Sequence, residues 1–231
     1  PINHSGTVDS ARVHPLRSSY MNYADQIRTI WDGYKKPVII GETGWDHTFY
    51  EPGMPGYVAM HHNALWVSLM TGSAMTPFWW AYSNKMNDMI ATKQLLSIRR
   101  FTDNIAFSRL NNPVRIPVKV KGGRDGFAMQ SDALIYGWVV DPDGDVAGDE
   151  LSVAAGRAGK YKLRLFHTWR GEFLKEEEIN TTTDEVTFSI PSLHITDGHA
   201  NYIGQDVAFI LEFVKDPPVA AKSGRKKQGR P

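Results

Sequence analysis

Cysteine is absent from this chain of 231 residues, which excludes disulfide bridges and thiolate metal sites. No apolar stretch approaches the ~20 residues a membrane-crossing helix requires, so no membrane partner is expected. The chain has no phosphate loop, no dinucleotide fingerprint and no Gly-x-Ser-x-Gly elbow. No histidine pair has zinc spacing in a convincing context, His61 and His62 being adjacent on a predicted helix, and no cofactor is expected. An initiator methionine and a signal peptide are also missing. The opening Pro1-Ile2-Asn3-His4 reads as the middle of a phrase, and the chain is taken as a piece of a longer protein. The net charge of +1 conceals an asymmetry. Five of the 26 basic residues (Lys222, Arg225, Lys226, Lys227, Arg230) lie in the last ten positions, leaving 21 against 25 acidic residues. Residues 216–231 are expected to be a disordered basic tail. Without interleaved aromatics, and beside an acidic body, that tail does not indicate nucleic acid.

Hydrophobic residues, by contrast, make up 42% of the chain and aromatics 11%, ample for a folded core. The most informative run is Lys36-Pro37-Val38-Ile39-Ile40-Gly41-Glu42-Thr43-Gly44-Trp45. Its apolar, β-branched stretch between Pro37 and Gly41 predicts a strand buried on both faces, as in a parallel sheet. Glu42 would then stand at the carboxyl end of that strand, where α/β barrels collect their active sites. A second short run, Ser73-Ala74-Met75-Thr76-Pro77-Phe78-Trp79-Trp80, ends in two tryptophans. One strand ending in an acid beside one ending in indoles suggests a sugar site. A retaining glycosidase holds one carboxylate ionised as nucleophile and a second, protonated, roughly 5 Å away. Gly41 and Gly44 would leave room for a ring to approach.

Periodicity organises the rest. Thr7 to His14 predicts a strand. A helix follows, capped by Ser18 or Ser19, with apolar positions Tyr20, Tyr23, Ile27, Ile30, Trp31 and Tyr34. A second helix is predicted from Tyr57 to Thr71 with Gly72 as its C′ residue, and a third from Thr92 to Phe107 burying Leu95, Leu96, Ile98, Phe101 and Ile105. The order is β-α-β-α-β-α. Beyond Asn111-Asn112-Pro113 only strands are predicted, at Val114 to Val120, Leu134 to Val140, Tyr161 to Thr168, Val186 to Ile190 and Val207 to Val214. That spacing implies an antiparallel sandwich.

Pro37 to Trp45 resembles the seventh strand and nucleophile tip of clan A glycoside hydrolases, the cellulase-like (β/α)8 barrels. Thr76 to Ser83 is similar to their eighth strand, and Ser10-Ala11-Arg12-Val13-His14-Pro15 to their sixth. The resemblance implies an α/β plus all-β architecture: the last strands and helices of a barrel over residues 1–112, then a small antiparallel β-sandwich over 113–215. It also implies hydrolysis of a β-linked poly- or oligosaccharide with retention, in a secreted or periplasmic setting. Carried over by position, Glu42 is the nucleophile and Trp79 or Trp80 the aromatic platform, Trp80 being preferred. His14 would bond the sugar or Glu42, Trp45 and His47 would line the cleft, and Asn84 would reach outer sugars.

The family takes its general acid from an Asn-Glu pair at the fourth strand, and this chain contains no Asn-Glu. Asp46 and Glu51 share the loop of Glu42 and would have to fold back over it. The acid is therefore expected outside this chain, and the chain alone is expected to be inactive or nearly so. The unpaired edges of part of a barrel call for a missing N-terminal barrel segment or for self-association. The alternative is a non-catalytic fragment whose sandwich binds glycan through Trp138, Tyr161, His167, Trp169 and Phe173, or braces a barrel; burial of alternate residues favours bracing. Asp141-Pro142-Asp143-Gly144-Asp145 alternates like a calcium loop, but lacks the later glycine and bidentate glutamate, and reads as an acidic hairpin turn.

Overall fold

The computed structural model describes residues 15–43, 55–79, 89–141, 146–193 and 206–215. The first predicted strand, the calcium-like turn beyond Asp141 and the basic tail lie outside these residues, as do His14, Trp45, His47, Trp80 and Asn84.

Helix α1 spans Pro15–Tyr34. It starts before the serines expected to cap it. Proline suits a first helical turn, because its φ is already helical and its missing N–H would have had no partner there. Tyr20, Ala24 and Ile27 form its buried stripe, while Ile30 and Tyr34, expected among the apolar positions, are exposed. Lys35, at φ 52°, closes the helix by donating its N–H to the Trp31 carbonyl at 2.8 Å. Helix α2 spans Pro55–Thr71 and is buried on nearly every side from Val58 onward. It ends as expected at Gly72, φ 96°, with the Ser73 N–H bonding the Ser68 carbonyl at 2.9 Å. A Cβ at Gly72 would come within 3.2 Å of both Met129 and Trp31, so close packing as well as φ demands glycine there.

Helix α3 spans Met89–Thr102. Its buried face is Gln94, Ser97, Ile98 and Phe101, at i, i+3, i+4 and i+7, whereas Leu95 and Leu96 are each 48% exposed. The expectation for those two leucines was wrong. Hydrogen bonds made by Gln94 and Ser97 to neighbouring elements set the rotation of the helix, against the pull of the leucines.

Strands β1 (Glu42–Thr43) and β2 (Phe78–Trp79) form a parallel pair, extended by a bridge between Val38 and Ser73. The both-faces burial predicted for Pro37 to Gly41 is not seen. Val38 is buried but Ile39 is 59% exposed, because a single partner strand flanks this run among the described residues.

After a 3-10 turn at Phe107–Arg109 the chain becomes strands: β3 (Val114–Ile116), β4 (Val118–Val120), β5 (Asp125–Ser131), β6 (Leu134–Val140), β7 (Glu150–Ala154), β8 (Gly159–His167), β9 (Glu172–Thr181), β10 (Glu185–Ser189) and β11 (Asp206–Lys215). The predicted strand Val114 to Val120 is two. Pro117, which has no N–H for a ladder, separates β3 from β4, and they join different sheets. One sheet has order β3-β5-β6-β11-β8-β9 and the other β10-β7-β4, all neighbours antiparallel.

The two sheets face each other across a core that includes Val139, Leu163, Phe209 and Leu211 from the larger sheet and Leu151, Val153, Val186 and Phe188 from the smaller. The other face of the larger sheet is buried as well. Met129, Tyr136, Trp138, Phe166 and Ile210 pack there against Tyr20 of α1, Leu65, Trp66 and Met70 of α2, and Ile98 and Phe101 of α3. The helices before Asn112 and the strands after it thus share a core.

Candidate functional site

Glu42 and Thr43 are adjacent on β1 and face opposite ways. Thr43 is buried, and its hydroxyl is hydrogen-bonded to the Tyr23 hydroxyl of α1. Glu42 therefore stands on the face away from α1. It is exposed and makes no hydrogen bond or ion pair among the described residues. The parallel register pairs Glu42 with Phe78 and Thr43 with Trp79, so the two chain segments expected to build the site are hydrogen-bonded neighbours, running the same way and ending side by side. The backbone on the approach is fixed too: the Ala74 N–H bonds the Val38 carbonyl at 2.8 Å, and the Ser73 hydroxyl donates to the same oxygen at 3.2 Å. A Cβ built on Gly41 would meet nothing within 4 Å, so the approach is open without needing a glycine at that position. Among the described residues no cluster of three or more His, Asp or Glu could hold a metal ion. Asp141, first residue of the calcium-like turn, is buried and ion-paired with Arg124 at 2.5 Å.

No family model matches this sequence, and neither does any curated protein. Solved structures do. A protein described as a glycoside hydrolase superposes over 83% of this chain and 46% of its own length, with TM-score 0.52 and 14% identity. The chain shares its fold with part of that protein. It spans about half the length of that protein, and the superposed share is too large to fall on one side of Asn112. A family 5 glycoside hydrolase from Bacteroides vulgatus is similar over 83% of this chain (TM-score 0.48, 14% identity, 45% of its length). A GH30 endoxylanase from Clostridium papyrosolvens is similar over 80% (TM-score 0.47, 13% identity, 45% of its length).

A second polar centre escaped the sequence reading. Asp206, the buried first residue of β11, accepts hydrogen bonds from the indole of Trp169 at 2.6 Å, from the indole of Trp138, and from Nε2 of His62 at 3.0 Å. His62 lies fully buried on α2, stacked on Trp169 with ring centroids 3.9 Å apart, and its Nδ1 is 2.5 Å from the Gln94 side-chain oxygen on α3. The Thr168 hydroxyl donates to the Asp206 carbonyl at 2.9 Å, and the Ser97 hydroxyl donates to the Thr168 carbonyl. One carboxylate thus ties α2 and, through His62, α3 to the larger sheet. The sign in the sequence was two histidines in a largely apolar helix and an acid preceding an apolar strand.

The aromatic side chains considered for glycan binding are mostly inaccessible. Trp138, Tyr161, His167 and Trp169 are buried, and only Phe173 is exposed. Burial lowers the His167 pKa, and both its ring nitrogens lack hydrogen-bond partners among the described residues. On α1, burial and the hydrogen bond to Asp125 push the Tyr20 phenol up, while Arg17 grips the same carboxylate at 2.7 and 2.8 Å.

Proposed function

We propose that this chain is the C-terminal part of a retaining hydrolase of β-linked glycans, with Glu42 as its nucleophile. The supporting observation is the parallel pairing of β1 with β2, which sets the acid-bearing strand end beside the tryptophan-bearing one on a chain whose fold is shared with a glycoside hydrolase. Thr43, held against α1 by Tyr23, turns Glu42 to the opposite face, the one that would look into a closed barrel. Adjacent strand residues point to opposite faces, so one of Trp79 and Trp80 serves the cleft, and Trp80 is the proposed platform. Trp45, His47, His14 and Asn84 keep their proposed places around the cleft.

The displacement proceeds in two steps. The Glu42 carboxylate attacks the anomeric carbon as the glycosidic oxygen leaves, giving a glycosyl ester, which water then hydrolyses. The leaving oxygen needs a proton from a second carboxyl group, a contribution of about 10² to 10⁴-fold, and that group is assigned to polypeptide outside this chain. The same missing segment would cover exposed Ile39 and Leu95. Residues 113–215 are assigned to bracing rather than to glycan capture, since four of their five aromatic candidates are buried.

Assays on a panel of β-glycans test this reading. The isolated chain should turn over little or nothing, the longer protein should be active, and Glu42→Gln in the longer protein should abolish activity. Robust hydrolysis that survives Glu42→Gln would defeat the assignment.

A further inference from the structure

The three cations of α3 are treated differently by the fold. Arg99 is neutralised by Asp103 one turn on, at 2.9 Å. Lys93 has no ion-pair partner among the described residues, and Arg100 donates only to a neutral acceptor, the Gly171 carbonyl, at 3.3 Å. Lys93, Leu96, Ser97 and Arg100 fall at i, i+3, i+4 and i+7 and therefore share one flank of the helix. That flank forms one wall of an open cleft of about 400 Å³, and Trp169, Arg170 and Glu172 form the other. Among the described residues Glu172 is the only acid lining it and is engaged by Arg170 at 3.4 Å, so the described lining carries a net charge of about two positive in a body where acids outnumber bases.

Its walls are fixed. The Ser97 hydroxyl bonds the Thr168 carbonyl, and the turn after β8 sits so close to α3 that a Cβ on Gly171 would fall 3.2 Å from the Ser97 Cα. Two cations with no acidic partner among the described residues, about 10 Å apart along a helix and facing a third across the cleft, cost electrostatic energy that an anion would relieve.

We propose that this cleft between α3 and the β8–β9 turn binds an oxyanion, the sulfate or carboxylate group of an acidic ligand, held by Lys93 and Arg100 with Arg170 opposite. Leu96, half exposed on the same wall, offers an apolar surface to whatever body carries the charge. The site uses none of the residues assigned to sugar cleavage, so its success or failure is separate from that of Glu42.

The test is amide chemical-shift mapping of the full chain, titrated with sodium sulfate and with sodium glucuronate against sodium chloride at matched ionic strength. Saturable shifts at Lys93, Arg100, Arg170 and Gly171, with a midpoint of about 1 mM, are expected. The double variant Lys93→Ala/Arg100→Ala should weaken binding by at least ~10-fold, with the circular dichroism spectrum unchanged. Glucuronate shifting the same amides would identify a sugar acid as ligand; sulfate alone doing so would identify a free or esterified inorganic oxyanion. Shifts that are linear and reproduced by chloride, or saturable binding untouched by the double variant, would overturn the proposal.

Discussion

Asp206 concentrates more structural consequence than any other side chain described, because it is a buried carboxylate with three side-chain N–H donors drawn from α2, β6 and the turn after β8. Asp206→Asn keeps the shape but replaces an oxygen that accepts by a nitrogen that donates, leaving donors facing donors. Loss of a buried charged partner costs about 3–5 kcal/mol, and urea unfolding should show a fall of that order with an unchanged m-value. A change under about 1 kcal/mol would remove Asp206 from this role. His167 makes the opposite case. Its imidazole is buried, its pKa is lowered, and it has no partner among the described residues, so the folded chain resists taking a proton that the unfolded chain accepts. The stability it permits is present above the unfolded histidine value of about 6.5 and is lost as pH falls through that value toward the lowered folded one, at up to ~1.4 kcal/mol per pH unit. Stability curves of wild type and His167→Leu between pH 7 and 5 should therefore diverge, the variant being at least as stable at pH 7 and flatter below. Parallel curves would contradict this. Gly137 was read only as a member of a strand. A Cβ there would lie 2.3 Å from the Phe209 ring and 2.7 Å from the Phe127 carbonyl oxygen, and backbone cannot move aside as a side chain can. Gly137→Ala should cost at least about 1–3 kcal/mol by thermal or urea unfolding.

Among the elements, legibility followed how much of the pattern was local. Helix α2 ended where Gly72 said it would, since a left-handed glycine cap is encoded within a few residues. The cores of β6, β8 and β11 were evident from their apolar content, whereas β5, β7 and β9 were not. Strand β9, Glu172–Thr181, is an edge strand of mixed charge, stabilised by pairing with β8 and by cross-strand ion pairs such as Lys162–Glu176 at 2.7 Å, so it lacks the apolar signature of a strand. The switch between sheets at Pro117 was written in the sequence but could not be assigned without partners. The rotation of α3 was hidden for the same reason, because Gln94 and Ser97 face inward only when His62 and Thr168 are there to meet them. Most consequential is the double burial of the larger sheet. Trp138, Tyr136, Phe166 and Ile210 lose their cover if the helices are removed. Residues 113–215 expressed alone should bind a hydrophobic dye and unfold without a sharp transition, while the whole chain unfolds in one cooperative step. A stable, cooperatively folding 113–215 fragment would show that the helices are dispensable.

For the whole molecule, what was readable was the neighbourhood of the site rather than its closure. Glu42 at a strand end and tryptophans at the next strand end could be inferred from short apolar runs and their punctuation, and the two strands are indeed parallel neighbours. The brace from Tyr23 to Thr43 joins residues twenty positions apart through hydroxyls that carry no pattern, and nothing in the sequence announced it. The chain superposes on 46% of the length of the glycoside hydrolase it resembles in fold, and Glu42 and Ile39 are exposed. The direct measurement is covalent trapping in the longer protein, using a 2-fluoro β-glycoside with an activated leaving group, which forms the glycosyl ester but hydrolyses slowly and dispenses with the general acid. Mass spectrometry of the digested protein should find the added sugar on the peptide containing Glu42 and lose it in Glu42→Gln. A label on a different carboxylate, or an active enzyme that accumulates no label at all, would contradict the assignment of Glu42 as the nucleophile.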